Sequence, residues 1–136
     1  MRFQTDGKIV EGRLIPGMEH VGFVGVTHGG LLATVLDEIM VWACSVPMKK
    51  FFFSAEMTVR YFAPARPGEE ILARGEMIEN RRNRIFIAQG ELKRITGEKL
   101  ASATGKYMPI PESSFAQFAT DFEGTAEQLR RFIMPG

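Results

Sequence analysis

The feature that most constrains the fold of this chain is a long apolar stretch over residues 27–47, THGGLLATVLDEIMVWACSVP. A segment that is apolar on every side predicts a buried helix. Thr27 is a candidate N-cap, and Pro47 is expected to end the helix. Two adjacent carboxylates, Asp37 and Glu38, interrupt the stretch. A carboxylate on a buried helix is costly unless it has a partner or a task, so either a partner or a function is expected for Asp37.

The composition excludes several classes of protein. The 136 residues fit one domain with one core, which we place at about 8–110, followed by a helical extension over 112–136. The net charge of +1 gives no reason to expect nucleic acid or an anionic membrane as a partner. No signal peptide is evident, and the apolar stretch is predicted to be too short and too charged to span a bilayer. A cytoplasmic protein is therefore expected.

After the helix the hydrophobic pattern takes the period of two that is typical of strands. Four strand candidates follow one another and predict an antiparallel meander; they cover residues 51–63, 69–81, 83–96 and 99–110. A weaker candidate lies at 8–15, and the glycine-rich segment 16–30 is predicted to be an irregular loop. One buried helix and several antiparallel strands predict an α+β domain in which a strongly curved sheet wraps around the helix.

Three segments together give the chain a family resemblance. They are GVTHGG at 25–30, LDE at 36–38 and MTVRYFAPARPG at 57–68. This pattern resembles the hotdog-fold acyl-CoA thioesterases, and among them the PaaI-like (phenylacetate-pathway-type) thioesterase superfamily, over about residues 8–108. The resemblance implies a hotdog fold and hydrolysis of an acyl-CoA thioester to a carboxylate and free thiol. It implies no cofactor other than the coenzyme A of the substrate.

The same resemblance implies roles for individual residues. Asp37 would be the general base or the nucleophile, and the backbone N–H of Gly29 would polarise the thioester carbonyl. His28 would shape that corner of the site, and Ser54 would orient a water molecule. Several members carry Asn or Gln at the position of Gly22, so that side-chain contribution is absent here.

The spacing between Gly29 and Asp37 carries a further expectation. The N-terminus of a helix presents unpaired N–H groups, which suit a carbonyl oxygen that gains negative charge. Asp37 lies eight residues beyond Gly29, or about 12 Å along a helix axis, so it cannot easily serve the N-terminus of its own helix. It could serve that of an antiparallel neighbour. We therefore expect a homodimer with shared sites, or a dimer of such dimers.

Substrate-binding candidates fall in two groups. Gly30 suits an oxyanion hole together with Gly29, and Phe23 and Val26 are expected near an apolar acyl or aryl group. Three arginines at one turn are candidates for the phosphates of coenzyme A, although a solvated turn is the alternative; they are Arg81, Arg82 and Arg84. Two histidines and one cysteine do not form a zinc site by spacing, so no metal is expected.

Other interpretations stay open from the sequence. Asp37 could be satisfied by a loop, by Arg60 or by Arg66, and the glycines could simply permit a tight turn. Glu38 points about 100° away from Asp37 around the helix and is expected to pair with a cation or with a second copy. The fold could also serve a non-catalytic module that binds acyl thioesters, or a dehydratase or hydratase of 3-hydroxyacyl thioesters.

Overall fold

The structure is a computed structural model that describes residues 2–17, 21–23, 26–27 and 29–111. Within these residues lie one helix and eight strands. Their bounds are β1 Arg2–Thr5, β2 Ile9–Leu14, β3 Val21–Phe23, β4 Val26–Thr27, α1 Gly29–Met48, β5 Phe52–Tyr61, β6 Ile71–Arg81, β7 Ile85–Arg94 and β8 Lys99–Pro109. The predicted helical extension over 112–136 lies outside the described residues, so the domain boundaries stay predictions.

Six strands form one antiparallel sheet in the order β1-β2-β6-β7-β8-β5. The four strands predicted after the helix are all present, but the four-stranded meander is wrong at its first member. β5 pairs with β8 at an edge of the sheet, and β2 takes the place beside β6. The segment 16–30, predicted to be irregular throughout, contains the small antiparallel pair of β3 and β4.

The connection from β5 to β6 is held against the sheet by Arg94 of β7. Its guanidinium donates to the Pro64 carbonyl at 2.7 Å, forms an ion pair with Glu69 and donates to Glu98 at 2.6 Å. The hydrogen bond from Arg94 opposes the effect of burial on Glu69, so the pKa of that carboxyl lies below its usual range. This cluster fixes the crossover that separates β5 from β6.

The helix α1 lies across the sheet and contacts β2, β5, β6, β7 and β8. Its core side is formed by Leu32, Val35, Leu36, Ile39, Met40, Ala43 and Cys44. Glycines let the helix approach closely: a Cβ at Gly75 would stand 2.7 Å from the Ile39 carbonyl oxygen, and Gly75 is paired with Gly90 across β6 and β7. The predicted sheet wrapped around one helix is confirmed.

Both predicted helix ends are shifted. The helix begins at Gly29, so Thr27 ends β4 rather than standing next to the first helical residue. Pro47 lies inside the last turn. The helix ends instead at a left-handed residue, Lys49 (φ 54°), whose N–H donates to the Ser45 carbonyl at 2.8 Å. A proline lacks one N–H and crowds the carbonyl one turn back, and at Pro47 both effects are confined to the last turn of the helix.

The length of α1 also corrects the prediction that the stretch is too short to cross a membrane. The helix has 20 residues and is long and apolar enough by length and composition alone. It nevertheless packs its apolar residues against the sheet, with Leu36, Ile39 and Met40 fully buried. The core helix of a folded domain can have the same length and apolar composition as a helix that spans a membrane.

Candidate active site

Asp37 lies half-buried on α1, and its carboxylate is held by a tyrosine. The hydroxyl of Tyr107 on β8 donates to Asp37 Oδ1 at 2.8 Å and lies 3.4 Å from the Asp37 carbonyl oxygen. Among the described residues, neither Arg60 nor Arg66 pairs with this carboxylate. The partner left open by the sequence is therefore Tyr107.

Ser54 belongs to the same cluster. It is the Cα partner of Tyr107 in the antiparallel pair of β5 and β8, so both side chains lie on the face of the sheet that carries the helix. Burial raises the pKa of the Tyr107 phenol well above its ordinary value, and the hydrogen bond and charge of Asp37 raise it further. The neighbouring Ser54 hydroxyl acts in the opposite direction and lowers the pKa of the phenol. The phenol of Tyr107 is thus a donor that keeps its proton.

The other end of the candidate site is the N-terminus of α1. Gly29 is the first helical residue, so its N–H is among the groups that lack a partner within the helix. The hydroxyl of Tyr61, at the end of β5, donates to the Gly29 carbonyl at 2.8 Å. The same carbonyl belongs to the peptide that carries the N–H of Gly30, so Tyr61 fixes the orientation of that peptide.

Gly29 and Asp37 are not brought together within one chain. Both lie on one continuous helix, which separates them by about 12 Å along its axis. Gly29 is contacted by Tyr61 and Asp37 by Tyr107. Tyr61 and Ser54, the β5 partner of Tyr107, lie near opposite ends of β5. The two halves of the candidate site are therefore built separately.

The three arginines lie in the hairpin between β6 and β7, and all are exposed. Arg82 and Asn83 both have positive φ angles, 54° and 56°, as in a type I′ turn. Arg81 is paired with Glu79 at 3.0 Å. The polar turn predicted for this stretch is confirmed, and its exposure is what a solvated turn would show.

The hairpin nevertheless lies at the Asp37 end of the sheet. Phe86, just after the turn, is paired with Tyr107, which is paired in turn with Ser54. The arginines are therefore one to two strands away from Tyr107 of the Asp37 cluster, about 5–10 Å across the sheet.

The other predicted site residues are placed as follows. Gly30 is exposed at the start of α1, and Glu38 is exposed and forms no ion pair with the described residues. Phe23 and Val26 are paired in β3 and β4, but their side chains lie outside the described part, as does all of His28.

Neither thiol chemistry nor metal chemistry is indicated by the described residues. Cys44 is fully buried, and burial raises the pKa of its thiol to about 12, which opposes a role as nucleophile. Within residues 2–17 and 29–111, no three His, Cys, Asp or Glu side chains are grouped to hold a metal ion.

A polar groove of about 720 Å³ lies on the face of the sheet opposite the helix. Its walls carry charges of both signs, from Arg60, Arg74 and Lys99 as well as Glu76 and Glu91. None of the predicted site residues lines it. An acyl chain would need apolar walls, so this groove does not compete with the helix as the candidate site.

Tyr107 and Tyr61 are the residues that sequence reasoning missed. The alternation along β8 puts Ala101, Ala103, Gly105 and Tyr107 among the positions that face the core, and a buried tyrosine usually finds a partner for its hydroxyl. That pattern could have drawn attention to Tyr107. The bond from Tyr61 to Gly29 has no local sequence signal, because it joins elements 32 residues apart.

Comparison with known proteins places this architecture in a family. The model of the thioesterase superfamily matches residues 24–100, more than half of the chain and the part that carries α1 and β5–β7. The chain belongs to the thioesterase superfamily. The resemblance noted from its motifs is thereby confirmed.

Solved structures of other proteins show the same fold as this member of the thioesterase superfamily. The PaaI protein of the phenylacetic acid degradation operon of E. coli superposes with a TM-score of 0.73 at 15% identity, over 81% of this chain and 79% of that protein. The protein smu.793 of Streptococcus mutans, solved with bound acetyl CoA, gives 0.73 at 16% identity, over 81% and 90%. The predicted hotdog fold is confirmed.

Among curated proteins, this superfamily member is similar to human acyl-coenzyme A thioesterase 13. The two are 29% identical over 84 residues, which are 61% of this chain and 60% of the human protein. The chain thus matches only about three-fifths of the length of that relative.

Proposed function

We propose that this chain hydrolyses an acyl-CoA or related thioester to a carboxylate and a free thiol. In this reaction Asp37 is the general base or the nucleophile, and the Gly29 N–H polarises the thioester carbonyl. The observation that carries the proposal is the Asp37 carboxylate: it is half-buried on the central helix of a thioesterase-superfamily domain and is held by Tyr107. The relatives named for acyl-CoA hydrolysis and for bound acetyl CoA support the choice of substrate class.

The chemistry needs no further group. As water attacks, Asp37 takes its proton, the new C–O bond forms, and the carbonyl oxygen gains negative charge. The Gly29 N–H at the helix N-terminus stabilises that charge. The C–S bond then breaks, and the thiolate leaves and takes the proton from Asp37, which restores the carboxylate. If Asp37 attacks directly, water hydrolyses the resulting anhydride instead. We propose that no cofactor takes part beyond the coenzyme A of the substrate.

The separation of Gly29 from Asp37 supports a site shared between two copies of the chain. Among the described strands, β5 pairs only with β8, so its other edge is free to pair. If two copies joined antiparallel along β5 with Ser54 opposite Tyr61 of the second copy, each Asp37 cluster would lie beside the other copy's helix N-terminus. The dimer, and any dimer of dimers, is a proposal on this basis.

The remaining candidates complete the proposal. Arg81, Arg82 and Arg84 lie at the Asp37 end of the sheet, and their charge suits the phosphates of coenzyme A. Ser54 would orient the attacking water, and His28 would shape the corner at Gly29. A cytoplasmic location stays a prediction.

A thiol-release assay over acyl-CoAs of increasing chain length tests the function, with Asp37→Asn and its neighbour Glu38→Gln as the matched pair. We expect Asp37→Asn to lower kcat by at least about a thousandfold, because the base or nucleophile is lost. Glu38→Gln should keep most of the activity, since that side chain is exposed. The reverse result would refute the assignment. Saturable binding without thiol release would favour the non-catalytic module.

A further inference from the structure

Tyr107 is placed to control the orientation of Asp37. It is fully buried, and its hydroxyl donates to one carboxylate oxygen, Oδ1, at 2.8 Å. No hydrogen bond from the described residues reaches the other oxygen, Oδ2. The carboxylate thus has one oxygen engaged by the protein and one left over.

The slot that holds the tyrosine ring is built by the backbone of β8. The ring lies over Gly105, two residues earlier on the same face of the strand. A Cβ at that position would stand 2.6 Å from Tyr107 Cε2 and 2.9 Å from its hydroxyl oxygen. Any side chain at Gly105 would therefore displace the ring or the hydroxyl from Asp37.

Ser54 completes the arrangement from the neighbouring strand. It is paired with Tyr107 across β5 and β8, so the two residues stand side by side. Among the described residues, the Tyr107 hydroxyl has its hydrogen-bond acceptors on Asp37, and the shorter of the two bonds runs to Oδ1.

We infer that Tyr107 is a positioning residue for the thioesterase reaction: it anchors Asp37 Oδ1 so that Oδ2 faces the water or the thioester carbonyl. This inference rests on the proposed function of Asp37. A side chain held in a single orientation keeps the reacting atoms close to their productive distance, and small displacements of a catalytic group lower rates sharply. Tyr107 itself touches no reacting atom.

The variant Tyr107→Phe tests the inference because it keeps the ring in the Gly105 slot and removes only the hydroxyl. We expect kcat to fall by about 10- to 100-fold, with KM changed less than about twofold. Ser45→Ala is the matched control. This variant removes a different buried hydroxyl, which lies on α1 and makes no hydrogen bond with the described residues. It should leave kcat unchanged.

Two further measurements separate positioning from general stability. In an Asp37→Asn background, Tyr107→Phe should lower the residual rate no further, because its effect acts through the carboxylate. Crystal structures should show one Asp37 rotamer in the wild type and a different or divided one in Tyr107→Phe. An Asp37 rotamer that survives the loss of the hydroxyl would overturn the inference.

The proposed function can fail independently of this inference. If no acyl-CoA yields thiol, or if Asp37→Asn stays active, the function assigned to Asp37 is wrong, and the rotamer comparison still decides whether Tyr107 orients it. If Asp37→Asn is inactive while Tyr107→Phe turns over at the wild-type rate, only the positioning role is refuted.

Discussion

Asp37 and Glu38 are neighbours in the chain, yet their surroundings differ completely. One residue turns the helix by about 100°, which is enough to take a side chain from the sheet to the solvent. Asp37 is half-buried against β8 and bonded to Tyr107, whereas Glu38 is exposed. Which carboxylate is suited to chemistry is therefore decided by its position around the helix rather than by its charge.

The role of the Gly29 N–H can be tested with two substitutions at that residue. Proline is tolerated at the first position of a helix and removes the N–H, whereas alanine keeps it. The added Cβ would lie 3.4 Å from the Tyr61 ring, an ordinary contact. We expect Gly29→Pro to lower kcat by about 100- to 1000-fold in the thiol-release assay. Gly29→Ala should keep most of it, and equal losses in the two variants would refute a role for the N–H.

At the scale of elements, the contact between α1 and the sheet depends on how closely β6 and β7 let the helix approach. Gly75 of β6 faces the backbone of α1, because a Cβ there would stand 2.7 Å from the Ile39 carbonyl oxygen. Its partner Gly90 faces side chains instead, with Met40 Cγ at 3.1 Å and Leu36 Cδ2 at 3.2 Å. A backbone group cannot move aside as a flexible side chain can.

These two glycines should therefore respond differently to alanine. We expect Gly75→Ala to lower the free energy of unfolding by about 1–3 kcal/mol, because the helix must shift away from β6. Gly90→Ala should cost less than about 1 kcal/mol, since Met40 can change rotamer and the unfolded chain loses entropy. Urea unfolding measures both. A Gly90→Ala variant as unstable as Gly75→Ala would contradict this account.

Local pattern predicted the elements but not how distant elements pair. The period-two alternation and the turns at Arg82–Asn83 and Gly97 mark β6, β7 and β8, and the apolar run marks α1. The place of β5 beside β8 could not be predicted. It depends on a crossover fixed by Arg94, and two adjacent strand candidates in a sequence favour direct pairing by default.

The candidate site divides in the same way. The spacing from Gly29 to Asp37 could be converted into a distance because a helix has a fixed rise, and both residues lie on one continuous helix, α1. The hydrogen bond from Tyr107 to Asp37 joins residues 70 positions apart, so only the burial pattern of β8 hinted at it.

For the whole molecule, the edge formed by β5 is the notable surface. Several large apolar side chains on it or just beyond it are exposed: Phe53 (46%), Tyr61 (53%) and Phe62 (56%). An unpaired strand edge with exposed aromatic residues is a surface that another chain can cover. It also carries Ser54 and Tyr61, which lie next to the two separated halves of the site. One pairing event would thus bury this edge and join the halves.

Mixed dimers provide the decisive experiment on shared sites. Gly29→Pro and Asp37→Asn each disable every site in their own homodimer. After the two proteins are unfolded together and refolded at equal amounts, about half of the dimers should be mixed, and each mixed dimer should contain one intact site. We therefore expect thiol release to recover to about a quarter of the wild-type rate. If Gly29 and Asp37 of the same chain acted together, mixed dimers would hold no intact site, and differently tagged subunits that co-purify without activity would refute sharing.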